Sequence, residues 1–206
     1  MLWRLVPLAC VLLFVALAVF WRMWSQHRRC GTFGVLLFQS GAPKYQVRDA
    51  LLVAFFVVVT LQAALIAFLP GQAAVDGRLQ CLESSALRMI GVALAIGATV
   101  CLVIGQMQLG SSWRVGVDET TRLGLRTDGL YAFCRNPIYL CWWIWTLGYV
   151  LLLPTWVSVL VLVVLTFAIH WYVEEEEQYL SRAYGDAYLA YSQRVGRYVP
   201  WAGRLP

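Results

Sequence analysis

The chain has 206 residues, 61% hydrophobic and 13% charged, with a mean hydropathy of +0.68. A water-soluble domain carries about a quarter charged residues, so this composition suits lipid as the solvent. The net charge of +5 does not mark a nucleic-acid binder, because the arginines follow the ends of apolar runs, where they set topology.

The first apolar run covers residues 5–20. Ala16-Leu17-Ala18 could pass for a signal-peptide cleavage site. Only Arg4 precedes the run, however, while Arg22, Arg28 and Arg29 follow it, which points to a retained helix with its N-terminus outside. Residues 25–50 read as a polar connection containing Gly31, Gly34, Gly41 and Pro43. A second span, 51–69, stops at Pro70-Gly71 and is long enough to cross a bilayer core. After a short polar loop, 76–83, comes a third span, 89–104. Its Gly91, Ala93, Ala95, Gly97 and Ala98 permit close helix approach.

Residues 106–137 form the longest polar segment and contain Trp113-Arg114-Val115-Gly116-Val117-Asp118. Spans four (138–153) and five (156–173) are separated only by Pro154-Thr155, which forces an antiparallel helical hairpin. Residues 174–206 read as an extramembrane tail. The expected fold is an all-α integral membrane protein of about five transmembrane helices. Residues 1–105 carry the first three, and 106–206 carry the loop, the hairpin and a cytosolic helical tail, in one integrated membrane domain.

Five spans put the termini on opposite faces. Arg4, Arg78 and Arg88 fall on one face; the other has Arg22, Arg28, Arg29, Lys44, Arg48, Arg114, Arg122, Arg126, Arg135, Arg182, Arg194, Arg197 and Arg204. That bias makes the second face, with the C-terminus, cytoplasmic. Cys10, Cys30, Cys81, Cys101, Cys134 and Cys141 form no CxxC or His-paired spacing. They signal neither a disulfide framework nor a metal site, and Cys10, Cys101 and Cys141 read as small buried hydrophobes.

The chemistry-bearing residues gather between Gly129 and Pro200. Four consecutive carboxylates, Glu174 to Glu177, spread over most of a helix circumference, so at least one faces inward. They form either a solvated acidic cap, paired with Arg182 or with the arginines of 114–135, or a site for a cationic or hydroxyl-rich ligand. From Glu177 the positions Leu180, Tyr184, Tyr188 and Tyr191 continue one helical stripe, although Gly185 interrupts it. Such tyrosines either pack at the membrane surface or cradle a sulfonium or ammonium group. In Arg135-Asn136-Pro137, Pro137 suits the first turn of span four and Asn136 suits its cap. Arg135 is then free to pair with a ligand carboxylate. His170, one turn before Glu174, is either a hydrogen-bonded core residue or a proton acceptor.

Several segments resemble the isoprenylcysteine carboxyl methyltransferase family, within a wider group that includes phospholipid methyltransferases. They are Gly129-Leu130-Tyr131, Arg135-Asn136-Pro137-Ile138-Tyr139, Glu174-Glu175-Glu176-Glu177-Gln178-Tyr179-Leu180, Tyr184-Gly185 and Tyr188-Leu189-Ala190-Tyr191. Gln106 and Ser112-Trp113-Arg114 strengthen the likeness. Asn136 stands where the family pattern has histidine, and Cys141 where it has a second glycine. The resemblance implies S-adenosylmethionine held by Gln106, Tyr131, Arg135, Asn136, Pro137, Tyr139, Glu176, Glu177, Leu180, Tyr184 and Tyr188, without a metal. Arg135, His170 and Glu177 are its candidate catalytic residues.

On that reading the protein sits in a bacterial inner membrane among membrane lipids. It methylates a lipophilic acceptor that enters from the bilayer: an isoprenylcysteine-like carboxylate, a phenolic lipid, a thiol or a phospholipid headgroup. A membrane scaffold or assembly factor, or a sterol-reductase-like oxidoreductase, are the alternatives. Glu177→Gln is expected to abolish cofactor binding and leave folding intact.

Overall fold

Span one is longer than its apolar run. In the computed structural model, which describes residues 2–39, 42–69, 77–113, 115, 124–200 and 202–203, helix α1 (Val6–Phe14) continues through a π-helical stretch, Val15–Trp21, into α2 (Arg22–Cys30). The 25–50 connection expected from sequence is therefore helical over 25–30, and again over 43–50. Polar residues extend span one because Arg22 and Gln26 are buried and have partners: the Arg22 guanidinium donates to the Gly110 carbonyl at 2.8 Å, and Gln26 Nε2 to the Ser111 carbonyl. Gly31, at φ 72°, ends α2 in the left-handed conformation that glycine adopts without strain. The expectations placed on Gly41, Pro70, Gly71, Asp76, Arg114, Gly116, Val117, Asp118, Arg122 and Arg204 concern residues outside the described set.

Helix α3 spans Pro43–Phe68 and α4 spans Ser85–Leu109. Both exceed the spans read from hydropathy, since their polar end turns remain helical. Gln106 thus belongs to α4, not to the loop. The hairpin is α5 (Pro137–Leu152) and α6 (Trp156–Tyr184), followed by α7 (Asp186–Arg194). Among the described residues there is no strand, only isolated bridges such as Val35 with Val115. The α1–α2 run, α3, α4 and α6 are each long and apolar enough to cross a membrane; α5 is a shorter apolar helix.

Two corrections concern the tail. It does not leave the membrane helix at residue 174, because α6 runs unbroken through the glutamates to Tyr184. Nor is the tyrosine stripe one helix: Gly185, at φ 50° and ψ −125°, separates α6 from α7, so Tyr188 and Tyr191 reach their places by a change of chain direction.

Helices α4 and α5 pack closest. Without a hydrophobic force between helices in lipid, association relies on close backbone approach over small residues. A Cβ on Gly148 would stand 2.8 Å from the Gly91 carbonyl and 3.0 Å from the Ala95 amide nitrogen; one on Gly91 would stand 2.7 Å from the Gly148 carbonyl. Gly97 faces open space, so of the glycines singled out in span three only Gly91 mediates this contact. Gly148→Val is expected to lower stability by about 1–3 kcal/mol through overpacking, read as a fall in thermal midpoint in detergent. Gly97→Ala serves as the neutral comparison.

An aromatic core of Phe14, Phe55, Phe56, Trp142 and Trp145 joins α1, α3 and α5, with Phe14 and Trp145 ring centroids 4.7 Å apart. At the hairpin tip Gln62 donates to Thr155 Oγ1 at 2.7 Å and accepts from the Tyr149 hydroxyl at 3.0 Å. Thr155 also caps α6 by accepting from the Ser158 amide. These buried groups satisfy one another at the end of the bundle opposite the glutamates.

Candidate functional site

The site follows from the unequal hairpin. At 1.5 Å per residue the 16 residues of α5 rise about 24 Å, less than the ~30 Å hydrocarbon core. The 29 residues of α6 continue well beyond that level. The turn before α5 therefore meets the side of α6 at its glutamates instead of ending free in water.

There Glu177, 6% exposed, is the centre of a buried hub. Its Oε1 accepts from Arg135 Nε (3.1 Å), Arg135 Nη2 (3.0 Å) and Asn136 Nδ2 (3.1 Å). Its Oε2 accepts from Arg197 Nε (3.1 Å) and Nη2 (2.8 Å). Arg135 spends its remaining donors on backbone: Nη1 on the Ser192 and Val195 carbonyls, Nη2 on that of Gly203. All five N–H groups of its guanidinium are thus taken by protein acceptors. The resemblance assigned Arg135 and Glu177 to the ligand; the structure makes them partners of each other.

The hub draws the C-terminal segment over the turn. The Arg135 and Asn136 amides donate to the Gly196 and Arg197 carbonyls at 3.0 and 3.2 Å. Asn136 stands before α5 as expected, but its side chain caps nothing. Its Nδ2 donates instead to Glu177 Oε1 and to the Arg197 carbonyl, which turns the side chain toward the hub. Pro137 fills the first helical position, where no amide hydrogen is needed. The Cys134 thiol, against the Arg197 carbonyl, is pushed up to about 11 by burial and stays protonated.

The other glutamates separate by role. Glu176, exposed, accepts from the Tyr139 hydroxyl at 2.9 Å. Glu175 pairs with Lys44 of α3 at 2.8 Å, and Glu174 with His170 at 3.1 Å. The acidic run is thus paired: Glu177 with Arg135, as one reading of it expected, and Glu175 and Glu174 with Lys44 and His170 instead of Arg182. His170 is two turns before Glu177 with its side chain 57% exposed, and the structure does not bring it into the hub. Gln106 is also elsewhere: it is buried against the π-helical stretch of span one, with Nε2 donating to the Ala18 carbonyl at 3.1 Å.

Beside the hub, Tyr188 and Tyr191 pack with Leu180, Tyr184 and Leu125. The Tyr191 hydroxyl donates to the Tyr131 carbonyl at 2.6 Å. The Tyr188 hydroxyl is buried and finds no hydrogen-bond partner among the described residues. Burial, and after it the Glu177 carboxylate, push the Tyr188 phenol up to about 12. Burial and then Glu176 raise that of Tyr131 as well. Both shifts favour the neutral phenol, a hydrogen-bond donor and a poor proton acceptor.

The sequence drew attention to Arg197 only as one of the basic residues on the face read as cytoplasmic. Gly196, whose added Cβ would run into the Val199 and Ala202 carbonyl oxygens, gave no signal, since only the folded turn makes its missing side chain matter.

Residues 86–187 match the family model described as phospholipid methyltransferase. A 77-residue stretch, 37% of the chain, is 39% identical to the protein-S-isoprenylcysteine O-methyltransferase of Schizosaccharomyces pombe and covers 33% of that protein. A 79-residue stretch is 38% identical to the Mus musculus protein of the same name and covers 28% of it. The chain thus corresponds to about a third of the length of these relatives. A solved structure of the eukaryotic intramembrane Ras methyltransferase, isoprenylcysteine carboxyl methyltransferase, is similar at TM-score 0.49 and 24% identity, covering 81% of this chain and 56% of that one.

Proposed function

We propose that this chain, an integral membrane protein with the phospholipid methyltransferase signature over residues 86–187, transfers a methyl group from S-adenosylmethionine to a lipophilic acceptor at the cytoplasmic face of a bacterial inner membrane. The N-terminus then lies outside and the C-terminus in the cytoplasm, as the arginine distribution favours. The observation that carries the reading is the Tyr188 hydroxyl, buried and unpartnered beside the saturated Arg135–Glu177–Arg197 hub. A buried hydroxyl without a bond costs about 1–3 kcal/mol, which a ligand acceptor placed against it would offset.

S-adenosylmethionine supplies a methyl group activated by its sulfonium. The residues suited to hold it are Tyr131, Tyr139, Glu176 and Tyr188, with Leu180 and Tyr184 as apolar wall. Glu176 offers negative charge to a sulfonium, and the tyrosines offer ring faces and hydroxyl donors. Arg135, Asn136 and Glu177 act one step back by closing the C-terminal segment over the turn. Methyl displacement needs little covalent help, so this chain contributes alignment and exclusion of water. With His170 apart and the tyrosines protonated, an acceptor that needs no base, such as a carboxylate, fits best.

The test is calorimetric titration of the detergent-purified protein with S-adenosylhomocysteine. The wild type is expected to bind at micromolar Kd. Tyr188→Phe should weaken binding roughly fivefold, about 1 kcal/mol for one hydrogen bond, while raising the thermal midpoint of the ligand-free protein. A well-folded wild type that does not bind would overturn the reading.

A further inference from the structure

Asp49 is a carboxylate 2% exposed in the second turn of α3, and nothing in the hub requires it. A buried charge is costly unless its partners are well placed. Asp49 has two. Its Oδ2 accepts from the Phe38 amide at 2.7 Å, and its Oδ1 from Arg48 Nη2 and Nε at 3.0 and 3.2 Å. The first bond holds the preceding loop at Phe38, the one described non-glycine residue with positive φ, at 59°. A bulky side chain in that region is strained, and such strain persists only where its surroundings impose it.

The second bond has a longer reach. Neighbouring residues on a helix do not face each other, so pairing with Asp49 turns the Arg48 side chain back across α3. It comes to rest with its guanidinium carbon 5.4 Å from the Tyr45 ring centroid and 5.7 Å from that of Tyr172 on α6. The Tyr172 hydroxyl donates to the Arg48 carbonyl at 2.6 Å. Tyr172 in turn packs on Tyr139, ring centroids 6.5 Å apart, and Tyr139 holds Glu176. An unbroken set of contacts joins Phe38 to Glu176 through Asp49, Arg48, Tyr172 and Tyr139.

We infer that Asp49 is a positioning residue: by fixing Arg48 against Tyr172 it holds the Tyr139–Glu176 pair in the geometry that binds the methyl donor. The inference rests on the function proposed above for that pair, and it makes loop 32–39, distant in sequence from every motif, a determinant of donor affinity.

The experiment compares full-length wild type, Asp49→Asn and Tyr172→Phe in detergent. Without ligand, hydrogen exchange of Asp49→Asn should be about five- to tenfold faster over residues 170–178 as well as over 32–39, with 186–194 unchanged. Faster exchange in 32–39 alone would overturn the inference, since Asp49 would then only close its own loop. With S-adenosylhomocysteine, each single variant should raise Kd about five- to tenfold, and the double variant should be no worse than the weaker single. Multiplying effects would mean two independent lesions and would also overturn it. Gln62→Ala, which disrupts the network at the far end of the bundle, controls for lost stability. It should lower the thermal midpoint at unchanged Kd; a Kd rise equal to that of Asp49→Asn counts against positioning.

If Asp49→Asn does not fold, Tyr172→Phe carries the same comparison, because it removes one hydroxyl and no buried charge. It must loosen residues 43–49, or the link fails. If the wild type binds no S-adenosylhomocysteine, the methyltransferase reading falls, and hydrogen exchange alone decides whether Asp49 governs the Glu176 region.

Discussion

Glu177→Gln is expected to destabilise the protein by about 3–5 kcal/mol, the cost of breaking a buried ion pair by removing one partner. The carboxylate stands between two guanidinium groups, with Arg135 Nη2 at 3.0 Å and Arg197 Nη2 at 2.8 Å. An amide would leave two positive charges facing each other across a neutral group, and would turn its own NH2 donors toward one of them. The fold should therefore loosen first in the C-terminal segment, detected as a lower thermal midpoint and as proteolysis between residues 195 and 203, together with lost S-adenosylhomocysteine binding. The structure thus changes what sequence alone suggested, a variant that loses the ligand and keeps its fold. The cleaner probe is Glu176→Gln. Glu176 is exposed, so its stability change should stay within about 0.5 kcal/mol while affinity still falls. If Glu177→Gln kept full stability, the hub would not hold the tail.

Gly196→Ala should be nearly as severe for so small a change. The turn it opens is fixed by the Arg197 amide on the Ala202 carbonyl at 2.9 Å, and the Gly196 carbonyl accepts from the Arg135 amide at 3.0 Å. A methyl group there collides with the Val199 and Ala202 carbonyl oxygens, which are backbone and cannot rotate away as a side chain would. Relieving the clash opens the turn and withdraws Arg197 from Glu177. We expect about 1–3 kcal/mol of destabilisation and a Kd for S-adenosylhomocysteine raised more than tenfold. Gly97→Ala, in a helix with nothing within 4 Å, should be neutral or slightly stabilising. Unchanged binding in Gly196→Ala would show that the C-terminal turn does not shape the site.

The motifs around Arg135 and Glu174–Glu177 were legible because their residue types and order are local properties of the chain. Their division of labour was not. Glu176 and Glu177 are neighbours of identical chemistry, yet one is exposed against Tyr139 and the other is enclosed by two arginines. Which faces inward depends on how α6 is rotated against the start of α5. His170 was singled out by its place one turn before Glu174, and it pairs there on the same helix; Gln106 was singled out by the resemblance, but the packing of α4 directs it to Ala18 in the π-helical stretch of span one.

By itself the sequence determined the membrane class, the helical hairpin at Pro154-Thr155, the asymmetry of positive charge and the region where the motifs collect. Each of these depends on composition, length or spacing along one element, so no contact between distant residues is needed to set it. Only the tertiary structure decided where helices end, since Arg22 and Gln26 extend span one through partners 88 and 85 residues away. It also decided that Arg135 is spent inside the protein, that Tyr188 keeps an unused hydroxyl, and that Asp49 reaches Glu176 through three side chains. Those outcomes depend on contacts between residues far apart in the chain, where burial makes every donor and acceptor count.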